Sequence, residues 1–156
     1  MLRTFLRNNK GFSLIELMVS VTIIGLITSA IFSFYTNGVR TFDRDYSRLT
    51  AQQNARQAFI RLSQCLRLAK DITVLSQQSV RIITPNDSIV YYYLENDMLY
   101  REKNKGKNPI ARIKDLAIKE LLNGNIEIKI IAVEKNQIIE ISSEIIPYGS
   151  YITKIK

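Results

Sequence analysis

The feature that most constrains this chain is an uninterrupted apolar segment close to its N-terminus. From Leu17 to Val39 the sequence holds no charged residue for 23 positions. At about 1.5 Å per residue, a helix of that length spans a hydrocarbon layer of roughly 30 Å. Three basic residues precede the segment, Arg3, Arg7 and Lys10, and they predict that this end stays in the cytoplasm. We therefore expect a single membrane-spanning helix with its N-terminus inside.

The helix is expected to continue beyond the apolar segment. From Val39 onward the composition becomes polar, and no proline occurs before Pro85. Apolar side chains recur there at helical spacing, at Val39, Phe42, Tyr46, Leu49, Phe59, Leu62, Leu66 and Ala69. This periodicity predicts one helix from about Ser13 to about Lys70, with its first half in lipid and its second half amphipathic.

The C-terminal half of the chain is rich in β-branched and aromatic residues separated by turn signals. The predicted strands cover residues 80–84, 89–94, 98–102, 126–133 and 137–146, with an edge strand at 110–114. Residues 103–108 are interpreted as an exposed loop, residues 116–122 fit a helix or a strand, and the tail after Pro147 fits a loop or a weak strand. The fold class is therefore α+β, a long helix packed on a small antiparallel sheet of four to six strands.

The composition excludes several classes of chemistry. The chain has no histidine, and Cys65 is its only cysteine. An internal disulfide is therefore impossible, and the usual zinc and imidazole-based catalytic sites are excluded. Because Cys65 lies between Leu62 and Leu66 in a helical pattern, we interpret it as a small buried hydrophobe. No cofactor, metal site or enzymatic activity is predicted.

The net charge gives little information about partners. The formal charge is +8, and it falls to +5 without the first ten residues. No dense basic run occurs, so a solvated surface explains the surplus, and nucleic-acid binding is compatible with it but unsupported.

Gly11 is the first of two features that an ordinary membrane helix does not explain. It lies between the basic leader and the apolar segment. A residue without a side chain there allows a protease at the membrane surface to accept an extended backbone. Cleavage after Gly11 would make Phe12 the new N-terminus.

The second feature is Glu16, the one charged residue between Gly11 and Arg40. Placing a carboxylate in lipid costs about 2.5 to 3.5 kcal/mol on insertion scales. Glu16 follows Phe12 by four residues, so both lie on one helix face. An amino group released at Phe12 could neutralise Glu16, in the same chain or in a neighbour, which would couple assembly to processing.

The segment KGFSLIELMV, residues 10–19, closely resembles the cleavage and methylation segment of type IV prepilins and pseudopilins. The resemblance covers about residues 10–38. It implies cleavage after Gly11 by a prepilin peptidase, N-methylation of Phe12, and use of Glu16 to position the subunit during filament assembly. It also implies contacts with other pilins or pseudopilins through the N-terminal helix and with a membrane protein of the assembly platform.

The same resemblance implies a domain organisation and a location. Residues 1–11 would be a removed leader, 12–39 a transmembrane and filament-core helix, and 40–156 an extracytoplasmic pilin-like domain. The protein would reside in the cytoplasmic (inner) membrane and then in a cell-surface or periplasmic filament of a type IV pilus or a type II secretion system.

A weaker likeness to minor pilins of the PilW type and pseudopilins of the J type lies in residues 52–69 and in YYYLENDMLYRE, residues 91–102. The apolar helix lacks the proline of many major pilins, and the chain lacks their paired cysteines. Both departures favour a minor subunit that acts in assembly or initiation.

Two other interpretations of the N-terminus stay open. A secretory signal cleaved near Thr28-Ser29-Ala30 would release a soluble domain, but it leaves Gly11 and Glu16 unexplained. A single-pass, signal-anchored protein of another kind would present an extracytoplasmic domain that binds a ligand or DNA.

Two clusters in the sheet region are candidates for such binding. Tyr91, Tyr92 and Tyr93 could form an aromatic platform, although packing in the core and on the sheet face is the default. Lys103, Lys105 and Lys107 could bind phosphate, although a solvated loop is the simpler interpretation.

Overall fold

A computed structural model gives the structure of residues 13–148. Its first element is helix α1, Leu14–Arg67, which confirms the long helix predicted from the sequence. The helix follows Ser13, carries Glu16 in its first turn and ends with Arg67 in its last turn, an arrangement of charges that the helix dipole favours. The backbone N–H of Ala69 donates to the carbonyl of Leu66 and closes the helix with a tighter turn.

Within residues 13–148, eight strands follow the helix and form two antiparallel sheets. The first sheet has the order β1 (Asp71–Ser76), β2 (Ser79–Ile83), β3 (Ile89–Glu95), β4 (Met98–Lys103) and β5 (Gly106–Arg112). The second has the order β6 (Asp115–Glu120), β7 (Ile126–Glu134) and β8 (Gln137–Ile145). The predicted α+β class is confirmed, but the strands are divided between two sheets instead of one sheet of four to six strands.

Two segments differ from the prediction. Residues 103–108 do not form a loop, because the chain reverses within the two residues Asn104 and Lys105 and then continues as β5. Both turn residues have positive φ, 51° and 65°, as a type I′ hairpin turn requires. Strand β1 was not predicted, because it is an edge strand with four of its six residues exposed and shows little hydrophobic signal.

The described residues group into two compact units, the first ending at Asp43 and the second beginning at Arg44. In the second unit, one hydrophobic cluster joins the helix to both sheets. Its fully buried side chains include Leu62, Leu66, Ile82, Leu99, Leu116, Ile118, Ile128 and Ile130. Burial of Leu62 and Leu66 agrees with the predicted amphipathic stripe.

Ala69 is also buried and Phe59 packs against the core as predicted, but the N-terminal part of the predicted stripe is wrong. Phe42, Tyr46 and Leu49 are 73%, 63% and 56% exposed. The buried face of α1 instead carries Ser47, Ala51, Ala55, Ala58, Leu62, Ser63 and Leu66. The buried residues in the first part of this face are small, so hydrophobicity alone predicted the wrong face there.

Candidate processing and assembly site

The N-terminus of α1 is closed by a hydrogen bond between Ser13 and Glu16. The backbone N–H of Ser13 donates to Oε2 of Glu16 at 2.9 Å, and the backbone N–H of Leu17 donates to the carbonyl of Ser13 at 3.2 Å. This is the reciprocal half of a capping box, in which a glutamate three residues into the helix satisfies the backbone donor before it. Glu16 therefore has a local structural role as part of the helix cap. The pattern Ser-Leu-Ile-Glu is typical of such a cap, whereas the cost of inserting a carboxylate into lipid gives no indication of it.

The capping geometry also fixes where the carboxylate points. Oε2 of Glu16 lies within hydrogen-bond distance of the amide that follows Phe12. Gly11 and Phe12 themselves lie outside the described residues, so their predicted cleavage and methylation stay predictions. The structure brings Glu16 to the end of the helix at which the predicted new N-terminus would begin.

The first unit presents an apolar helical surface. Large hydrophobic side chains are more than half exposed along it, at Leu14, Ile15, Leu17, Met18, Val19, Val21, Ile23, Ile24, Leu26, Ile27, Ile31, Phe32, Phe34 and Tyr35. Within residues 13–148, α1 is the helix long and apolar enough to cross a membrane, with a mean hydropathy of 2.2 over its most apolar window. The predicted spanning segment thus lies in a continuous helix.

Five hydroxyl groups of this apolar stretch are satisfied by the helix itself. The side chains of five residues donate to backbone carbonyls three or four positions earlier, at 2.7 to 3.1 Å: Ser20, Thr22, Thr28, Ser29 and Thr36. Because lipid offers no hydrogen-bond partners, back-bonding of this kind lets serine and threonine enter a membrane.

The long helix packed on antiparallel sheets is a pilin-like architecture. Residues 6–32 match the family model described as the prokaryotic N-terminal methylation motif. The chain therefore combines a pilin-like fold with the N-terminal methylation motif of type IV prepilins and pseudopilins, a motif that implies processing by a peptidase and association with other pilins. No curated protein and no solved structure matches the chain.

The three consecutive tyrosines divide between the two faces of the first sheet. Tyr92 is buried in the core against the helix, and Tyr91 and Tyr93 lie on the outer face. The Tyr93 ring stacks on Tyr100 with centroids 5.8 Å apart. These tyrosines therefore pack in the core and on the sheet face, which is the arrangement that the sequence favoured.

Lys107 belongs to this same outer face and not to a phosphate-binding loop. Its ammonium group lies 3.9 Å from the centroid of the Tyr100 ring and forms an ion pair with Glu95. The hydroxyl of Tyr93 donates to Oε2 of Glu102 at 3.3 Å. The aromatic rings and the lysine thus interact with one another and with carboxylates.

Cys65 is half-buried on the helix and packs against the core. Burial raises the pKa of its thiol, and a hydrogen bond with Tyr92 opposes that shift. A neutral, partly covered thiol is a packing group and a weak nucleophile. Among residues 13–148, no three His, Cys, Asp or Glu side chains come together in a way that could hold a metal ion.

Proposed function

We propose that this chain is a minor pilin or pseudopilin, a structural subunit of a type IV pilus or of a type II secretion-like filament. The observation that carries the proposal is the coincidence of two features in one segment. The methylation motif at residues 6–32 overlaps the uncharged run from Leu17 to Val39, which is continuously helical. A generic membrane anchor needs the second feature but not the first.

In this proposal, prepilin peptidase cuts between Gly11 and Phe12 at the cytoplasmic side of the membrane, and Phe12 is then N-methylated. The subunit waits in the inner membrane as a single-pass protein, with residues 40–156 forming its extracytoplasmic domain. The apolar segment, residues 12–39, then leaves lipid and packs among the helices of other pilins at the assembly platform. Packing between helices replaces packing against lipid, so no chemical step by this chain is required.

Glu16 supplies the specificity of that packing. Its carboxylate is directed toward the start of the helix by the bond to Ser13. A cationic N-terminus at Phe12, from the same chain or from a neighbouring subunit, would meet the carboxylate there and form a charge-assisted hydrogen bond. Because an unpaired carboxylate is unfavourable in an apolar surrounding, pairing with the N-terminus of a neighbouring subunit favours the assembled over the isolated subunit.

The minor role is supported by the sequence. Residues 14–67 form an unbroken helix without proline, and the lone Cys65 cannot form the disulfide that many major pilins carry. We infer a role in assembly or initiation. Adhesion, secretion, motility and DNA uptake are alternative outputs of such a filament.

N-terminal mass spectrometry on the membrane-extracted protein tests the proposal, in the native host with and without its prepilin peptidase. A chain that begins with methylated Phe12 only in the presence of the peptidase supports it. A chain that begins at Met1 would instead identify a signal-anchored membrane protein with an extracytoplasmic binding domain. A chain that begins at Ile31 would identify a secreted domain.

A further inference from the structure

A cleft of about 460 Å³ lies in the second unit, between α1 and the edge of the first sheet. Residues of one helix face, among them Gln57, Arg61 and Gln64, form one wall. Arg101 of β4 and Asn108 of β5 form the other wall, and they are paired across the strands in the same row as Tyr92 of β3. The cleft is therefore built by three strands and a helix that the core holds together.

The charge of the cleft is positive and uncompensated. Arg61 and Arg101 both line it, and no aspartate or glutamate does. Neither guanidinium forms an ion pair or a side-chain hydrogen bond among the described residues. Four lysines of the second unit do have such partners: Lys70, Lys107, Lys114 and Lys129 each pair with a carboxylate. Two arginines left without acidic partners in one concave site are available to an anion from outside.

Tyr92 lies next to both arginines, because it is the cross-strand partner of Arg101 and its hydroxyl reaches the backbone of Arg61. That hydroxyl donates to the backbone carbonyl of Arg61 at 3.4 Å and is hydrogen-bonded to Cys65. Burial raises the pKa of Tyr92, and the positive charges of Arg101 and Arg61 oppose the shift. The phenol therefore stays neutral and cannot serve as the counter-ion of either guanidinium.

We propose that this cleft binds a carboxylate carried by an acidic peptide segment of a partner protein. The planar fork of arginine matches the two oxygens of a carboxylate, and two such forks in one cleft can hold it from both walls. The amides of Gln57, Gln64 and Asn108 offer both donors and acceptors around the arginines, which is what the backbone of an extended peptide requires. This inference concerns a surface separate from the N-terminal segment and does not depend on filament assembly.

A nucleic-acid strand fits the cleft less well. Binding a phosphate backbone requires cations spaced along a track, and single-stranded bases require exposed aromatic rings. Here the cleft offers two guanidiniums, one on each wall, and the ring of Tyr92 is buried, with 2% exposure. The site has the size and charge for one anionic group.

The test uses the full chain in dodecyl maltoside and a fluorescein-labelled hexaglutamate peptide, with hexaglutamine as the neutral probe. Fluorescence anisotropy gives the affinity for wild type, for the double variant Arg61→Gln/Arg101→Gln, and for the matched control Arg48→Gln/Arg112→Gln. Both variants lose two positive charges, but Arg48 and Arg112 do not line the cleft. Circular dichroism verifies that the folds are equal. Because Cys65 is the only thiol and lines the cleft, its maleimide labelling rate reports occupancy independently.

We expect wild type to bind hexaglutamate and not hexaglutamine, with slower labelling of Cys65. The cleft variant should bind at least about tenfold more weakly and the control variant within about twofold of wild type. Equal weakening in both variants would mean general charge attraction and would overturn the site, as would no binding by wild type. Inorganic phosphate that displaces the peptide at lower concentration than acetate does would overturn the carboxylate assignment.

Discussion

The backbone N–H of Ser13 donates to Oε2 of Glu16 at 2.9 Å, so the one charged side chain of the apolar segment closes the helix that carries it. Two roles of Glu16 must therefore be distinguished. It caps the helix, and it is the proposed partner of a processed N-terminus. The two roles require different chemistry, because a cap needs an oxygen acceptor and an ion pair needs a negative charge.

Comparison of Glu16→Gln with Glu16→Ala separates these roles. Glutamine retains a side-chain oxygen that can accept from Ser13 but carries no charge, and alanine loses both. If pairing governs assembly, both variants should insert and be cleaved, and both should be depleted in sheared filaments by about tenfold relative to wild type. Immunoblots of membrane and filament fractions measure this. Normal incorporation of the Glu16→Gln variant into filaments would mean that Glu16 acts as a helix cap and not as an ion-pair partner.

The alanine face of α1 predicts a steric effect. Ala55 is fully buried against the sheets, so Ala55→Leu should lower the free energy of unfolding by about 1 to 3 kcal/mol through overpacking. Gln52→Leu is the control, because Gln52 is exposed on the same helix and should change stability by less than about 0.5 kcal/mol. Urea unfolding of the full chain in detergent checks both. Similar effects of the two substitutions would contradict the assignment of the buried face.

The β4–β5 turn predicts a stabilising substitution. Lys105 has a φ of 65°, a conformation that costs a residue with a side chain about 1 kcal/mol. Lys105→Gly creates an Asn-Gly type I′ turn and should raise the free energy of unfolding by about 0.5 to 1 kcal/mol. Lys119→Gly removes the same charge from the interior of β6 and should instead be destabilising, as glycine is within a strand. A loss of stability with Lys105→Gly would argue against this turn.

The surroundings of Cys65 predict its reactivity. Burial raises the pKa of the thiol, so the folded protein holds the proton to higher pH than the unfolded chain does. Alkylation by iodoacetamide should accelerate at a higher pH in the native protein than in urea. The free energy of unfolding should therefore fall at alkaline pH, because the thiolate is fully hydrated only in the unfolded chain. A native pH profile equal to that in urea would refute the burial effect.

The long helix, the membrane-compatible segment and most of the strands could be predicted from the amino-acid sequence alone. The reason is local: residues 17–39 have no charge to interrupt them, and the period of apolar side chains changes from helical to alternating after residue 70. Gly11, Phe12 and Glu16 stand in a short motif whose meaning does not depend on distant contacts, so it could be identified before any fold was known. Turn signals located the β3–β4 and β7–β8 hairpins for the same reason.

Three features could be seen only in the folded protein: which helix face is buried, how the eight strands of residues 13–148 divide into two sheets, and where arginines without acidic partners lie close together. Each of these depends on residues far apart in the sequence: Arg61 and Arg101 face one cleft because the core brings α1 against β3, β4 and β5. Hydrophobicity favoured Tyr46 and Leu49 over Ala51 and Ala55, because it measures the gain from burial and not the space that a neighbouring sheet leaves. Packing of the helix face against the core buries the small residues Ala51 and Ala55, and that packing exists only in three dimensions.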